Sequence, residues 1–121
     1  METKTFKKHQ KLTFNYSKCK LVFGSYYDGR PKLVLKEDKT DKVVAIATIN
    51  LSQDGVVYSK INSDIIIKSW GVNDGLYEVL RDNNIISKAH TRLPVGLNEA
   101  CVCMLLINPE DYEEINSLHQ N

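Results

Sequence analysis

The chain has 121 residues, of which 42% are hydrophobic and 26% are charged, and its net charge at pH 7 is +1. These values are those of an ordinary globular domain, and no apolar run approaches the roughly 20 residues that cross a membrane. The start of the chain lacks the apolar region of a secretory signal, so we expect a cytoplasmic protein in which the three cysteines are reduced.

Alternation of apolar and polar residues predicts strands in the first half of the chain. Residues 11–16 (KLTFNY) form one strand, and residues 19–36 form a hairpin, because two alternating runs flank the turn sequence YDGRP. After a polar turn at 37–42, residues 43–50 (VVAIATIN) are apolar on both faces. This pattern is typical of a central strand that is covered on two sides.

A strand followed by a helix is predicted after a loop at residues 51–63. Residues 64–70 (DIIIKSW) are β-branched and short, which favours a strand. The next apolar residues are spaced as one face of a helix: Leu76, Val79 and Leu80. Asn73 or Asp74 is expected to cap its N-terminus, and residues 82–84 (DNN) are expected to end it.

The end of the chain, NPEDYEEINSLHQN (108–121), begins like a helix. Asn108 stands at the N-cap position and Pro109 at the first helical position. The carboxylates of Glu110 and Asp111 would complement the helix dipole in the first turn. The apolar side of this helix would consist of Tyr112, Ile115 and Leu118.

The elements together predict the α+β class, with a mostly antiparallel sheet of about five to six strands and two short helices. For residues 85–93 the sequence allows either a strand or an irregular crossing. Residues 100–107 (ACVCMLLI) are apolar on both faces, which predicts another central strand. We expect one domain over residues 1–121. It would consist of a basic arm at 1–10, the sheet with one helix at 11–107, and the C-terminal helix at 108–121.

The cysteines have the composition of a metal site but not its spacing. Cys101 and Cys103 point the same way on a predicted strand, and with Cys19 and one histidine they could supply three sulfurs and a nitrogen to zinc. Zinc ligands usually lie on turns with the spacing C-x(2–4)-C, and a C-x-C pair in an apolar strand is more typical of buried packing. His90 has no nucleophile motif beside it, and we expect it on the surface. The sequence therefore predicts no catalytic residue, no metal and no cofactor.

The stretch DIIIKSWGVNDGLYEVL (64–80) has the strand–turn–helix layout of a phosphate-binding loop. Such a loop needs several glycines and a Lys-Ser/Thr pair at the start of the helix. Here Gly71 and Gly75 stand alone, and Asp74 would repel phosphate. The stretch therefore predicts a turn with a cap and not a nucleotide site.

Basic residues are concentrated at the start of the chain. Residues 1–36 contain nine Lys/Arg and two Asp/Glu, whereas residues 37–121 contain seven and thirteen. The lysines that would contact nucleic-acid phosphates are Lys4, Lys7, Lys8, Lys11, Lys18 and Lys20. A solvated arm beside a folded sheet explains the same residues, so both interpretations stay open.

Four stretches of the sequence resemble a family of small proteins that are carried by bacteriophages and conjugative elements and contain a domain of unknown function. These stretches are YYDGRPKLVL, AIATINL, IIIKSWGVNDGLYEVLRDNNII and LPVGLNEACVCMLL. The resemblance covers roughly residues 19–107. It brings no catalytic or cofactor residues. It implies a non-enzymatic protein in the host-cell cytoplasm that binds and inhibits a host defence complex. An anti-CRISPR inhibitor of an RNA-guided nuclease is the specific expectation.

Two groups of residues are candidates for contact with a host protein. Lys68 and Trp70 share one face of a predicted strand, and aromatic side chains beside charges are common in recognition surfaces. Burial of Trp70 beneath the following helix is the alternative. The second group is acidic and consists of Glu110, Asp111, Glu113 and Glu114.

The alternative function is that of a nucleic-acid-binding accessory protein that uses the basic segment. We expect no membrane partner, and the sequence leaves the oligomeric state open.

Overall fold

The computed structural model describes residues 10–27, 29–50 and 64–115. Sheet A consists of β1 (Lys11–Phe14), β2 (Ser17–Ser25), β3 (Pro31–Glu37) and β4 (Val43–Ile46) in that spatial order, with the short β8 (Glu113–Glu114) parallel to β2. Sheet B places β7 (Asn98–Met104) between β5 (Asp64–Ile67) and β6 (Thr91–Val95). Helix α1 spans Leu76–Asp82. Residues 1–9 of the basic arm predicted at 1–10, together with Asp28 and the predicted loop at 51–63, lie outside the described residues.

This architecture confirms a mostly antiparallel α+β fold but differs from the expected numbers of elements. In the part of the chain that the structure describes, eight strands in two sheets replace the single sheet of five to six strands. Over the described ranges α1 is the one α-helix, and no helix there is long and apolar enough to cross a membrane. The strand predicted at 100–107 is confirmed as central, because β7 pairs with a neighbour on each side.

Alternate residues of the two sheets share one main core. Sheet A contributes Leu12, Phe14, Cys19, Leu21, Phe23, Leu33, Leu35 and Ala45, and sheet B contributes Ile65, Ile67, Cys101 and Cys103. From the predicted face of α1, Leu76 and Leu80 are fully buried and Val79 packs beside them. Removing this apolar area from water stabilises the fold by about 25 cal/mol per Å². The pairing of β2 with β3 confirms the hairpin predicted for residues 19–36.

Residues 43–50 are not the central strand that their apolar pattern predicts. β4 is the last strand of sheet A, and the side chains of Val43 and Ile46 are 56% and 47% exposed. Beyond β4 the chain crosses to sheet B, where Thr48 forms an isolated bridge with Ile67. The run is apolar because it contacts both sheets in turn.

The predicted N-cap of α1 is wrong. The cap residue is Gly75, which has a left-handed φ of 83° that glycine adopts without strain. Asn73 is instead buried, 2% exposed, and its Nδ2 donates to the backbone oxygens of Ile46 (2.8 Å) and Lys68 (3.1 Å). This amide joins the end of β4 to the chain just after β5. The predicted helix end is confirmed, since α1 stops at Asp82.

The helix predicted at 108–121 is wrong over the residues that the structure describes. Asn108 does act as a cap and accepts a hydrogen bond from the Glu110 amide at 3.0 Å, but only a 3₁₀ turn follows, at Pro109–Asp111. The chain then becomes extended because the ring of Tyr112 is buried against Phe23, with ring centroids 5.7 Å apart. Residues 116–121 lie outside the described part.

Two of the tight turns have residues with positive φ. Asn15 and Tyr16 join β1 to β2 with φ of 53° and 64°, which is the geometry of a type I′ turn. Gly96, with φ of 60°, begins the two-residue turn between β6 and β7. β6, which contains Pro94, forms one edge of sheet B. Tyr16 is the unusual residue, because a bulky side chain disfavours a left-handed backbone.

Replacing Tyr16 by glycine should therefore stabilise the protein. The side chain is fully exposed, so little packing is lost, and relief of the positive φ is worth about 1 kcal/mol. Urea unfolding measures the change in the free energy of unfolding. The matched control is Tyr27→Gly, because Tyr27 is equally exposed and has no positive φ. Equal effects of the two substitutions would show that Tyr16 is not strained.

Candidate binding surfaces

The outer face of sheet A carries a row of lysines. The strand register places Lys11 opposite Lys20 and Lys20 opposite Lys36, so three ammonium groups lie side by side across β1, β2 and β3. Lys18 and Lys32 alternate onto the same face, and we call these five residues the lysine face. Like charges on directly opposite residues destabilise a sheet, so this row requires acidic partners.

The acidic partners come from the turn between β3 and β4 and from β8. Lys11 Nζ lies 3.1 Å from Asp38 Oδ1, and Lys20 Nζ contacts Asp41 and lies 2.9 Å from Glu113 Oε2. The bonds to Asp41 and then Glu113 raise the pKa of Lys20, and that ammonium group lowers the pKa of Asp41. Two of the lysines predicted to bind nucleic acid are thus engaged within the protein.

Among the remaining lysines of that prediction, Lys18 is exposed, and Lys4, Lys7 and Lys8 lie outside the described residues. Sequence reasoning missed Lys32 and Lys36. Both stand on the returning strand of the hairpin, and the same alternation that placed Lys18 and Lys20 on one face would have found them.

The outer face of sheet B holds a second, smaller apolar cluster. Ile66, Ala100 and Val102 are buried there, and four half-buried residues surround them: Ile49, Trp70, Leu93 and Val95. Trp70 packs here and not beneath α1, whose Leu76 and Leu80 belong to the main core on the opposite face. Lys68 Nζ lies 5.6 Å from the centroid of the Trp70 ring. We call this cluster with Lys68 the Trp70 face.

The four acidic residues at the end of the chain do not form one surface. Glu113 lies on the lysine face and is bound to Lys20, whereas Glu114 follows it on the other side of β8. Glu110 and Glu114 line a small cavity, and Asp111 is half-buried in the 3₁₀ turn. The acidic group is therefore divided between two faces.

The cysteines are buried in the main core. Burial raises the pKa of the Cys19 and Cys101 thiols, and it raises the pKa of Cys103 to about 12. Arg92 Nη1 donates to Cys101 Sγ at 3.2 Å. Within the described ranges, no three His, Cys, Asp or Glu side chains are grouped so that they could hold a metal ion. A neutral buried thiol is a poor nucleophile and a poor ligand, so packing explains these residues.

One pair of polar residues was not predicted. Asp64, 1% exposed, is the first residue of β5, and its Oδ1 lies 3.3 Å from His90 Nε2. Its other oxygen has no hydrogen-bond partner in the described part of the chain. The pair spans 26 positions, so no local pattern indicates it. The carboxylate orients the imidazole but supplies no nucleophile by itself.

The turn at residues 71–75 does not have the form of a phosphate cradle. The amides of Asn73 and Asp74 donate to carbonyl oxygens within the turn, and the amide of Tyr77 donates to the hydroxyl of Ser69 at 3.0 Å. Amides engaged in this way are not aimed at a ligand.

Comparison of the chain with models of protein families, with curated proteins and with solved structures found no match.

Proposed function

We propose that this chain is a non-enzymatic protein of a phage or mobile element that binds and inhibits a host defence complex through the Trp70 face. The supporting observation is the composition of that face. A tryptophan, with a lysine over its ring, lies among half-buried aliphatic side chains around a buried centre. Aromatic anchors within an apolar patch and a charged rim are typical of protein interfaces.

An RNA-guided nuclease is the specific target that we propose, and the support for it is the resemblance of the four sequence stretches. Inhibition by occupation of a surface needs shape and charge complementarity and no bond-making chemistry. The nucleic-acid alternative needs unengaged lysines. Because Lys11 and Lys20 are ion-paired with acidic residues, we place protein binding first.

Replacing Trp70 by alanine should weaken binding to the target at least tenfold, because interface tryptophans commonly contribute about 2 kcal/mol or more. The measurement is capture of purified RNA-guided nuclease effectors by the immobilised protein, together with protection of a plasmid from cleavage. Val72→Ala is the control, since Val72 is exposed and lies outside the Trp70 face. Near-ultraviolet circular dichroism checks that both variants are folded.

Two results would contradict the proposal. The first is a protein that protects a plasmid or phage from none of the defence systems tested. The second is equal capture by the Trp70 and Val72 variants. The alternative function would be favoured if the protein shifts nucleic acid in a gel at low salt and the Lys18→Glu variant does not, because binding to phosphates is sensitive to salt and charge.

A further inference from the structure

The short strand β8 covers part of one edge of β2. β1 pairs with β2 from Ser17 to Lys20, and β8 takes over beside Val22 and Phe23, on the side of β2 that β3 leaves free. β8 has two residues, and in the described ranges its pairing is the one parallel pairing. The Ile115 amide then donates to the Phe23 carbonyl oxygen at 2.7 Å. Without β8 this part of β2 would be an open edge.

Two side chains attach β8 to the sheet, and both can be released without leaving a charge unpaired. The Tyr112 ring is buried against Phe23, and Glu113 Oε2 lies 2.9 Å from Lys20 Nζ. Lys20 also contacts Asp41, so its ammonium group keeps an acidic partner when Glu113 leaves. Detachment gives the Tyr112 hydroxyl, which has no hydrogen-bond partner in the described part of the chain, access to water. It also exposes the Phe23 ring, which a replacement strand would have to cover.

The contacts of β8 define the segment that this edge accepts. The segment needs an extended backbone to pair with β2 and an aromatic side chain to cover Phe23. The next residue needs a carboxylate, because the position of Glu113 faces Lys20. Lys20 stands opposite Lys11 and Lys36 in the strand register, so the edge lies beside a row of positive charge. An acidic segment is attracted there, and a basic segment is repelled.

We propose that β8 is exchangeable, and that an extended segment of a partner protein, with an aromatic residue followed by a carboxylate, takes its place on β2. Addition of a strand to a sheet edge is a common mode of recognition, in which main-chain hydrogen bonds give affinity and alternate side chains give specificity. Short elements with few contacts are also those that open without unfolding of the whole domain. This edge belongs to sheet A and is separate from the Trp70 face of sheet B.

Hydrogen exchange of the full chain under native conditions tests whether β8 detaches. We expect the Ile115 amide to exchange roughly a hundredfold faster than the amides of β3, because β8 opens without global unfolding. Glu113→Gln should accelerate exchange at Ile115 several-fold further, since the contact with Lys20 is weakened. Glu114→Gln is the matched control, because Glu114 has no ion pair in the described part of the chain and should leave the rate unchanged. Equal rates at Ile115 and in β3 would overturn the proposal.

A peptide titration tests whether the edge accepts a strand from outside. The probe is EDYEEI, the sequence of residues 110–115, added to the ¹⁵N-labelled full chain, whose own β8 competes with it. We expect saturable shifts of the Phe23 and Gly24 amide resonances, and an affinity roughly tenfold lower for the peptide EDYKKI, because a charge-assisted contact is lost. Lys20→Glu should reverse this preference. Lys11→Glu should keep it, since Lys11 is also ion-paired on the lysine face but pairs with Asp38 and not with β8.

The neutral variant Lys20→Gln repeats the test if Lys20→Glu does not fold, and it should bind both peptides with equal affinity. Absence of saturable shifts with EDYEEI would overturn the proposal. So would equal affinity of the unchanged protein for the two peptides, or an unchanged preference in the Lys20 variants. Trp70→Ala should bind EDYEEI normally, so the result at β2 does not depend on the function of the Trp70 face.

Discussion

The free energy of unfolding should fall steeply as pH rises from about 9 towards about 12, because Cys103 ionises more readily in the unfolded chain. Its pKa is raised from 9.0 to about 12, first by burial and then by the neighbouring Cys101. Below pH 9 the thiol is protonated in both states and has no effect on stability. Above it the unfolded state alone loses the proton, and the loss is about 1.4 kcal/mol for each pH unit.

Urea unfolding in the presence of reductant, at several pH values between 8 and about 11, measures this slope. Cys103→Ala should lower stability by a nearly constant amount and flatten the alkaline slope. Cys19→Ala is the matched control, because Cys19 is also a buried thiol, but only Cys103 has a pKa raised as far as about 12. If the slope in Cys103→Ala equals that of the unchanged protein, this thiol does not carry the alkaline dependence.

Replacing Asn73 by alanine should lower the free energy of unfolding by about 2–4 kcal/mol. The substitution leaves two carbonyl oxygens, those of Ile46 and Lys68, without their amide donor and opens a small cavity at a buried site. Asn73→Asp has the same shape but only accepts hydrogen bonds, so it should be at least as unstable. Urea unfolding measures both variants.

Asn83→Ala is the matched control for this prediction. Asn83 Nδ2 also donates to a carbonyl oxygen, that of Val79, at 2.8 Å, but it does so at the partly exposed end of α1. We expect a loss of about 1 kcal/mol there. Should Asn73→Ala be no more harmful than Asn83→Ala, then the Asn73 amide does not tie β4 to sheet B.

The parts of the fold that the sequence predicted are those that short-range patterns determine. Alternation over residues 19–36 indicates the hairpin, and the spacing of Leu76 and Leu80 indicates the buried face of α1. The role of Asn73 was missed because its position before a helix resembles a cap, while one of its partners, Ile46, lies 27 residues away. Contacts between residues so far apart in the sequence are determined by the packing of the two sheets, and the local spacing of residues does not reveal them.

The same limit applies to the end of the chain and to the candidate surfaces. Asn108 and Pro109 are valid start signals, and a 3₁₀ turn does begin there, but contact of Tyr112 with Phe23 from β2 then decides the conformation. Local spacing put Lys68 and Trp70 on one face, yet it could not show that Leu93 of another strand lies beside them. Nor could it pair Lys20 with Asp41 and Glu113.

Pro94 has a consequence for how the protein behaves at high concentration. In a hairpin with a two-residue turn the flanking pair, here Val95 and Asn98, is hydrogen-bonded, so Arg92 and Pro94 direct their backbone groups away from β7. Proline has no N–H to offer. A strand from a second molecule would therefore meet a gap in the ladder at this edge, which makes sheet B a poor template for open-ended polymerisation.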